Sequence, residues 1–116
     1  MRVLPKLVSA YDLNKWLDSE TDLPTIIDVR EDYELEIVKF PYSFLHMPMS
    51  QITIESINSK LDILENTKIV ALCHMGVRSL HFGQWMLDND FVNEIWNLEE
   101  GIDGWSKYID STLNRY

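Results

Sequence analysis

Lys68-Ile69-Val70-Ala71-Leu72-Cys73-His74-Met75-Gly76-Val77-Arg78-Ser79 reads as strand, tight loop and helix start in succession. The run up to Leu72 is apolar and β-branched in its first half, which predicts a buried strand. It ends at Cys73, the one cysteine in the chain. Leu80, Phe82, Trp85, Met86 and Leu87 then predict a helix from Ser79 to Asp88, with Asn89-Asp90 as its stop. A strand end, a short loop and a helix N-terminus together make an anion cradle, because loop and first-turn N–H groups converge. A thiol placed there is drawn toward thiolate by the helix N-terminus and by Arg78, and thiolate is the nucleophilic form. The alternative for Cys73 is a small buried hydrophobe, a reading that leaves Gly76 and Arg78 without a purpose.

Upstream, Thr25-Ile26-Ile27-Asp28-Val29 predicts a second buried strand whose apolar residues do not alternate, as expected of a parallel strand covered on both faces. Asp28 and Arg30 stand at its C-terminal end, and Cys73 ends its own strand in the same sense. In an open α/β sheet that edge carries the chemistry, so both places open on one side. Asp28 and Arg30 form either an ion pair that fixes their own loop or a support behind the Cys73 loop. Glu31 to Lys39 is short and charged, with Tyr33, Leu35, Ile37 and Val38 available to cover the sheet. Ser43 to Met47 predicts another short strand, ended by Pro48. Ser50-Gln51-Ile52 opens a helix with Ile54, Ile57 and Leu61 as its buried face, and Leu61 and Leu64 lead into the central strand.

At the N-terminal end, Val3 to Val8 predicts a first strand or extended lead-in. Ser9-Ala10-Tyr11-Asp12 has the form of a capping box opening a helix that carries Leu13, Trp16 and Leu17 inward and stops before Pro24. At the other end, the segment from Phe91 to Leu98 holds the last strand. Gly101 marks the turn into a closing helix anchored by Trp105 and Tyr108, and the polar tail to Tyr116 gives no signal. The pattern is an α/β domain over residues 1–116, with a mostly parallel sheet of about five strands and helices on both faces.

Composition sets limits on function. A chain of 116 residues with 46% hydrophobic and 25% charged residues fits one globular domain. Its net charge of −9 argues against nucleic acid or an anionic membrane as partner, and no apolar run reaches membrane-spanning length. A single cysteine forms no internal disulfide and suits a reducing cytoplasm. His46, His74 and His81 are scattered and match no zinc spacing, so neither a metal nor a cofactor is expected.

Cys73-His74-Met75-Gly76-Val77-Arg78 resembles the active-site loop of the rhodanese family of sulfurtransferases. The resemblance extends, in order, to Ile26-Ile27-Asp28-Val29-Arg30-Glu31 and to Trp96-Asn97-Leu98-Glu99-Glu100-Gly101-Ile102-Asp103-Gly104-Trp105. It implies that Cys73 takes a sulfane sulfur from thiosulfate or a persulfide, a protein-borne one included, and holds it as a persulfide. A thiol or cyanide-like acceptor then receives it. It further implies a loop of His74, Met75, Gly76, Val77, Arg78 and Ser79 that binds the persulfide. Gly76 supplies a positive φ, and His74 and Met75 project around the mouth. Arg78 donates its fork to a sulfo group or to nearby carbonyls. Ser79 caps the following helix, with donation toward Cys73 as the alternative.

Two departures mark the rim. Family members usually continue with Gly-His-Ile and Pro-Gly-Ala where this chain has Val38-Lys39-Phe40-Pro41-Tyr42-Ser43 and a late Pro48. Glu100-Gly101 replaces a common Gly-Gly pair, and a carboxylate there opposes an anionic donor. Phosphatases and arsenate reductases of related architecture place one more residue between cysteine and arginine. The shorter loop makes a smaller cradle, suited to one sulfur rather than a phosphate. A non-catalytic interaction module on the same fold is the remaining alternative.

Overall fold

The computed structural model describes residues 3–60, 67–91 and 93–116. Leu61 and Leu64, expected on a helix face and in a lead-in, lie outside them. Five parallel strands form one sheet: β1 (Lys6–Val8), β2 (Thr25–Asp28), β3 (Leu45–His46), β4 (Lys68–Leu72) and β5 (Glu94–Leu98), in the order β1-β5-β4-β2-β3. The helices are α1 (Ala10–Asp18), α2 (Asp32–Ile37), α3 (Ile54–Asn58), α4 (Val77–Asp88) and α5 (Gly101–Tyr108). No helix among the described residues is long and apolar enough to cross a membrane.

Alternation along the central strands divides the core in two. Val70 and Leu72 of β4 join Ile26 of β2 in a cluster closed by Leu13 and Leu17 of α1 and by Ile102 and Trp105 of α5. Ile69, Ala71 and Cys73 point the other way, with Ile27, into a cluster closed by Ile57 of α3 and by Phe82 and Met86 of α4. Both faces of the sheet are therefore covered, as parallel strands require. Asp28 pairs in register with Leu72, so the ends of β2 and β4 emerge together, and Val29 N–H donates to Leu72 O at 3.0 Å. That register puts Asp28, Arg30 and Cys73 at one edge of the sheet.

Several local expectations change. Tyr33 and Ile37 of α2 are exposed, and the residue this helix buries is Glu34. Ser50 does not open a helix. Met49–Gln51 is a single 3₁₀ turn, and α3 starts after Thr53, whose hydroxyl accepts from Ser56 N–H at 3.1 Å. Ile54 is exposed, and Ile57 fills the core. In the altered rim Phe40 is buried against Trp105, with ring centroids 4.9 Å apart. Tyr108 lies outside the core, tilted against Tyr11 of α1 at 6.0 Å. Ser9 does cap α1, accepting from Asp12 N–H at 3.1 Å. Ser9→Ala is expected to cost about 1 kcal/mol by urea unfolding, with no change in the chemistry of Cys73.

Candidate functional site

Cys73 is the first residue beyond β4 and continues its alternation, which places the sulfur beneath the start of α4. Gly76 is the residue preceding α4 and has φ +96°, the conformation the sequence required of it. Its N–H donates to Cys73 Sγ at 3.1 Å, and Ser79 N–H lies 3.4 Å from the same sulfur. α4 begins at Val77, two residues earlier than the apolar pattern indicated. Ser79 therefore sits inside the first turn and does not cap it. Its Oγ lies 3.3 Å from Cys73 Sγ and 2.5 Å from Asn97 Oδ1.

The loop amides are free to face the sulfur because the first N–H groups of a helix have no intrahelical partner, while the loop carbonyls are satisfied from the next turn. Ile102 N–H and Asp103 N–H, at the start of α5, donate to Cys73 O and His74 O at 2.9 and 3.0 Å. The two backbone segments touch so closely that both contact positions are glycines. A Cβ on Gly76 would lie 2.0 Å from Glu99 O, and one on Gly101, at φ +60°, would lie 2.4 Å from His74 O. Glu100 turns its side chain along Gly104.

The charges form a second layer behind the loop. Arg78 directs its fork away from Cys73, to Glu34, with Nη1 and Nη2 at 2.7 and 2.8 Å from the two carboxylate oxygens. Burial pushes the Glu34 carboxyl up, but hydrogen bonds from Arg78, Glu31 N–H and Tyr116 outweigh it and hold the group at about 2. The same pairing raises Arg78 above the usual arginine value. Asp28 and Arg30 are fully buried and paired at 2.8 Å. Burial opposes the Arg30 charge, yet its hydrogen bonds to Asp28 and Tyr116 more than offset this and raise it. Arg30 also donates to the carbonyls of Glu34 and Val38, at 3.3 and 2.9 Å. Asp28 and Arg30 thus form an ion pair that fixes its own loop, and Arg30 also holds the main chain of Glu34, whose side chain receives Arg78.

Three further residues complete this arrangement, and the sequence marks them unevenly. Glu34 was hidden in a charged segment, although Glu31 and Glu34 have the spacing of a helix-start pair, and Glu31 N–H donates to Glu34 Oε2 at 2.8 Å. Asn97 was a polar residue between apolar neighbours at the end of a buried strand, a pattern that does carry a signal. Tyr116 gave none. Its ring stacks on His74 at 3.8 Å and 8°, and its hydroxyl lies 3.2 Å from Arg30 Nη1 and 3.0 Å from Glu34 Oε1. His74 is half-buried beneath this ring, whereas Met75 and Val77 are exposed at the surface of the loop. The sulfur itself is covered, with Cys73 1% exposed.

A parallel α/β sheet with a cysteine at its C-terminal edge, held by backbone donors under a helix start, defines a class of domains organised around one loop thiol. Within that class, the chain belongs to the rhodanese-like domain family, whose model matches residues 9–108. It is 28% identical over 113 residues to the adenylyltransferase and sulfurtransferase UBA4 of Debaryomyces hansenii, an alignment covering 94% of this chain but only 25% of that protein. The fold is shared with a rhodanese-like domain protein of Staphylococcus aureus, at TM-score 0.70 and 25% identity, with 96% and 98% of the two chains covered. It is also shared with a protein of Rhodopseudomonas palustris described as a possible tyrosine phosphatase. There the TM-score is 0.73 and the identity 22%, with 97% and 85% covered.

Proposed function

We propose that the chain is a sulfurtransferase in which Cys73 carries the sulfur. The thiolate attacks the outer sulfur of a sulfane donor. The donor's S–S bond breaks with its electron pair leaving on the departing group, sulfite from thiosulfate or a thiolate from a persulfide. Cys73 then bears a second sulfur as an anion, and a nucleophilic acceptor takes that sulfur while the electron pair of the broken bond returns to Sγ. No oxidant enters, because the donor's sulfur already has the required oxidation state.

The observation that carries this reading is the convergence of Gly76 N–H and Ser79 N–H on Cys73 Sγ, at 3.1 and 3.4 Å. Such donors stabilise charge on sulfur without a cation. The arginines whose contacts reach this region, Arg30, Arg78 and Arg115, each face a carboxylate, those of Asp28, Glu34 and Asp103. A dianion therefore finds little uncompensated positive charge there. This favours a low-molecular-weight or protein-borne persulfide over thiosulfate as donor. The same commitment of Arg78 speaks against a phosphatase or arsenate reductase, which needs its guanidinium on the oxyanion.

The test is intact mass after incubation with thiosulfate, and separately with a thiol persulfide. Wild type is expected to gain one sulfur, more completely with the persulfide, and to lose it to added cyanide or thiol. Cys73→Ser is expected to gain none. Failure of every donor to modify wild type would overturn the proposal, as would efficient Cys73-dependent hydrolysis of a phosphate ester. The covered position of Cys73, 1% exposed, favours a second reading, a non-catalytic binding module. That reading predicts no sulfur adduct and unchanged partner binding in Cys73→Ala.

A further inference from the structure

Asn97 is 2% exposed and lies between two parts of the Cys73 loop. Its Nδ2 donates to Gly76 O at 3.0 Å, and its Oδ1 stands 2.5 Å from Ser79 Oγ. A carbonyl only accepts, so the Gly76 contact fixes the amide with its nitrogen toward Gly76 and its oxygen toward Ser79. That oxygen also only accepts. Ser79 has one hydroxyl proton and two candidate acceptors, Asn97 Oδ1 at 2.5 Å and Cys73 Sγ at 3.3 Å. The shorter contact, to the better acceptor, takes the proton. Ser79 Oγ then turns a lone pair toward the sulfur, an arrangement that accepts from a thiol S–H and opposes a bare thiolate.

We infer that Asn97 is a positioning residue that withholds the Ser79 hydroxyl proton from Cys73 and so lowers the resting nucleophilicity of the sulfur. For its consequence this rests on the sulfurtransferase reading: the Cys73 anion is stabilised at rest by backbone N–H groups alone, and further help comes only when the Ser79 hydroxyl leaves Asn97 and turns. The device restrains a thiol that would otherwise react with any electrophile reaching it.

The experiment measures the rate of Cys73 alkylation by iodoacetamide at fixed neutral pH, by intact mass, with circular dichroism to establish folding. Asn97→Leu removes the acceptor while keeping the branching at Cγ and is expected to alkylate roughly tenfold faster than wild type, the size of one hydrogen bond to a charged sulfur. Ser79→Ala removes the opposing lone pair and is expected to react faster than wild type, by about threefold. Adding Asn97→Leu to Ser79→Ala should give no further acceleration. Asn97→Asp keeps an acceptor for Ser79 but loses the donor to Gly76, and should be no faster than wild type.

A loosened loop would also expose the sulfur, but that effect would persist in the Ser79→Ala background and appear equally in Asn97→Asp. Either result would overturn the inference, as would slower alkylation in Ser79→Ala, which shows the hydroxyl donating to sulfur. Should Asn97→Leu not fold, Ser79→Ala and Asn97→Asp decide the matter. Alkylation reports on Cys73 whether or not any sulfane donor reacts, so this test and that of sulfur transfer fail independently.

Discussion

Gly76→Ala is expected to destabilise the domain by more than about 3 kcal/mol and to abolish the sulfur adduct proposed for Cys73. Two causes add. At φ +96° a side chain is strained wherever it points. Here it also points at the backbone: the new Cβ would lie 2.0 Å from Glu99 O and 2.8 Å from the carbon of the same carbonyl. Neither is the end of a flexible side chain, so the β4–α4 loop and the β5–α5 turn must separate. That separation pulls Gly76 N–H from the sulfur and loosens the Ile102 and Asp103 amides from Cys73 O and His74 O. Gly83 is the contrasting site, where a Cβ would meet side-chain atoms of Ile95 and Pro5 at 3.0 and 3.2 Å. Gly83→Ala should therefore cost far less. Urea midpoints of the two variants, with the sulfur adduct measured by mass, check the claim. Equal midpoints, or a normal adduct in Gly76→Ala, would show that the interlock of the two turns does not hold the loop.

The parts of this architecture legible in sequence are those set by short-range rules. Strand β4 is an apolar run, Gly76 sits where only a glycine turns the chain, and Ser9 opens α1 at the residue its capping pattern marked. The common edge of Asp28 and Cys73 followed from strand direction alone. Partner choice, by contrast, was not legible. Arg78 had two candidate targets and took a third, Glu34, because α2 carries that carboxylate across the sheet edge from a segment 44 residues away. Ser79 looked like a cap because the apolar pattern starts with Leu80. Yet Val77 and Arg78 are helical before it, since Gly76 and not Ser79 makes the turn. Tyr116 finds Arg30, Glu34 and His74 through tertiary packing that no local pattern encodes. Charge and hydrogen-bond accounting at this edge is long-range, and long-range pairing is what a single sequence leaves open.

Glu34→Gln is expected to remove about 2–3 kcal/mol of stability at neutral pH, and the loss should vanish in acid. The Glu34 side chain is 3% exposed and accepts from Arg78, Tyr116 and Glu31 N–H. Burial raises its carboxyl, the hydrogen bonds lower it more, and the result is a fall from the ordinary glutamate value of 4.5 to about 2. The lower end of the energy range allows for solvent screening on the Arg78 side, where the side chain is 37% exposed. A carboxyl whose folded value lies below its unfolded one contributes stability that is complete above the unfolded value. That contribution drains away as pH falls through the folded one. The wild-type midpoint in urea should therefore decline between 4.5 and about 2 on this group's account, while the Glu34→Gln variant lacks that part of the slope. The two curves converge at the acid end. A constant offset at every pH would show that shape and hydrogen bonding, not charge, make the contact. The variant also leaves the Arg78 guanidinium without its compensating anion beside the loop, so an anionic donor should bind more tightly. A lower KM for thiosulfate in Glu34→Gln, with that for an uncharged organic trisulfide unmoved, is the outcome expected if Glu34 cancels the charge that an anion would otherwise meet.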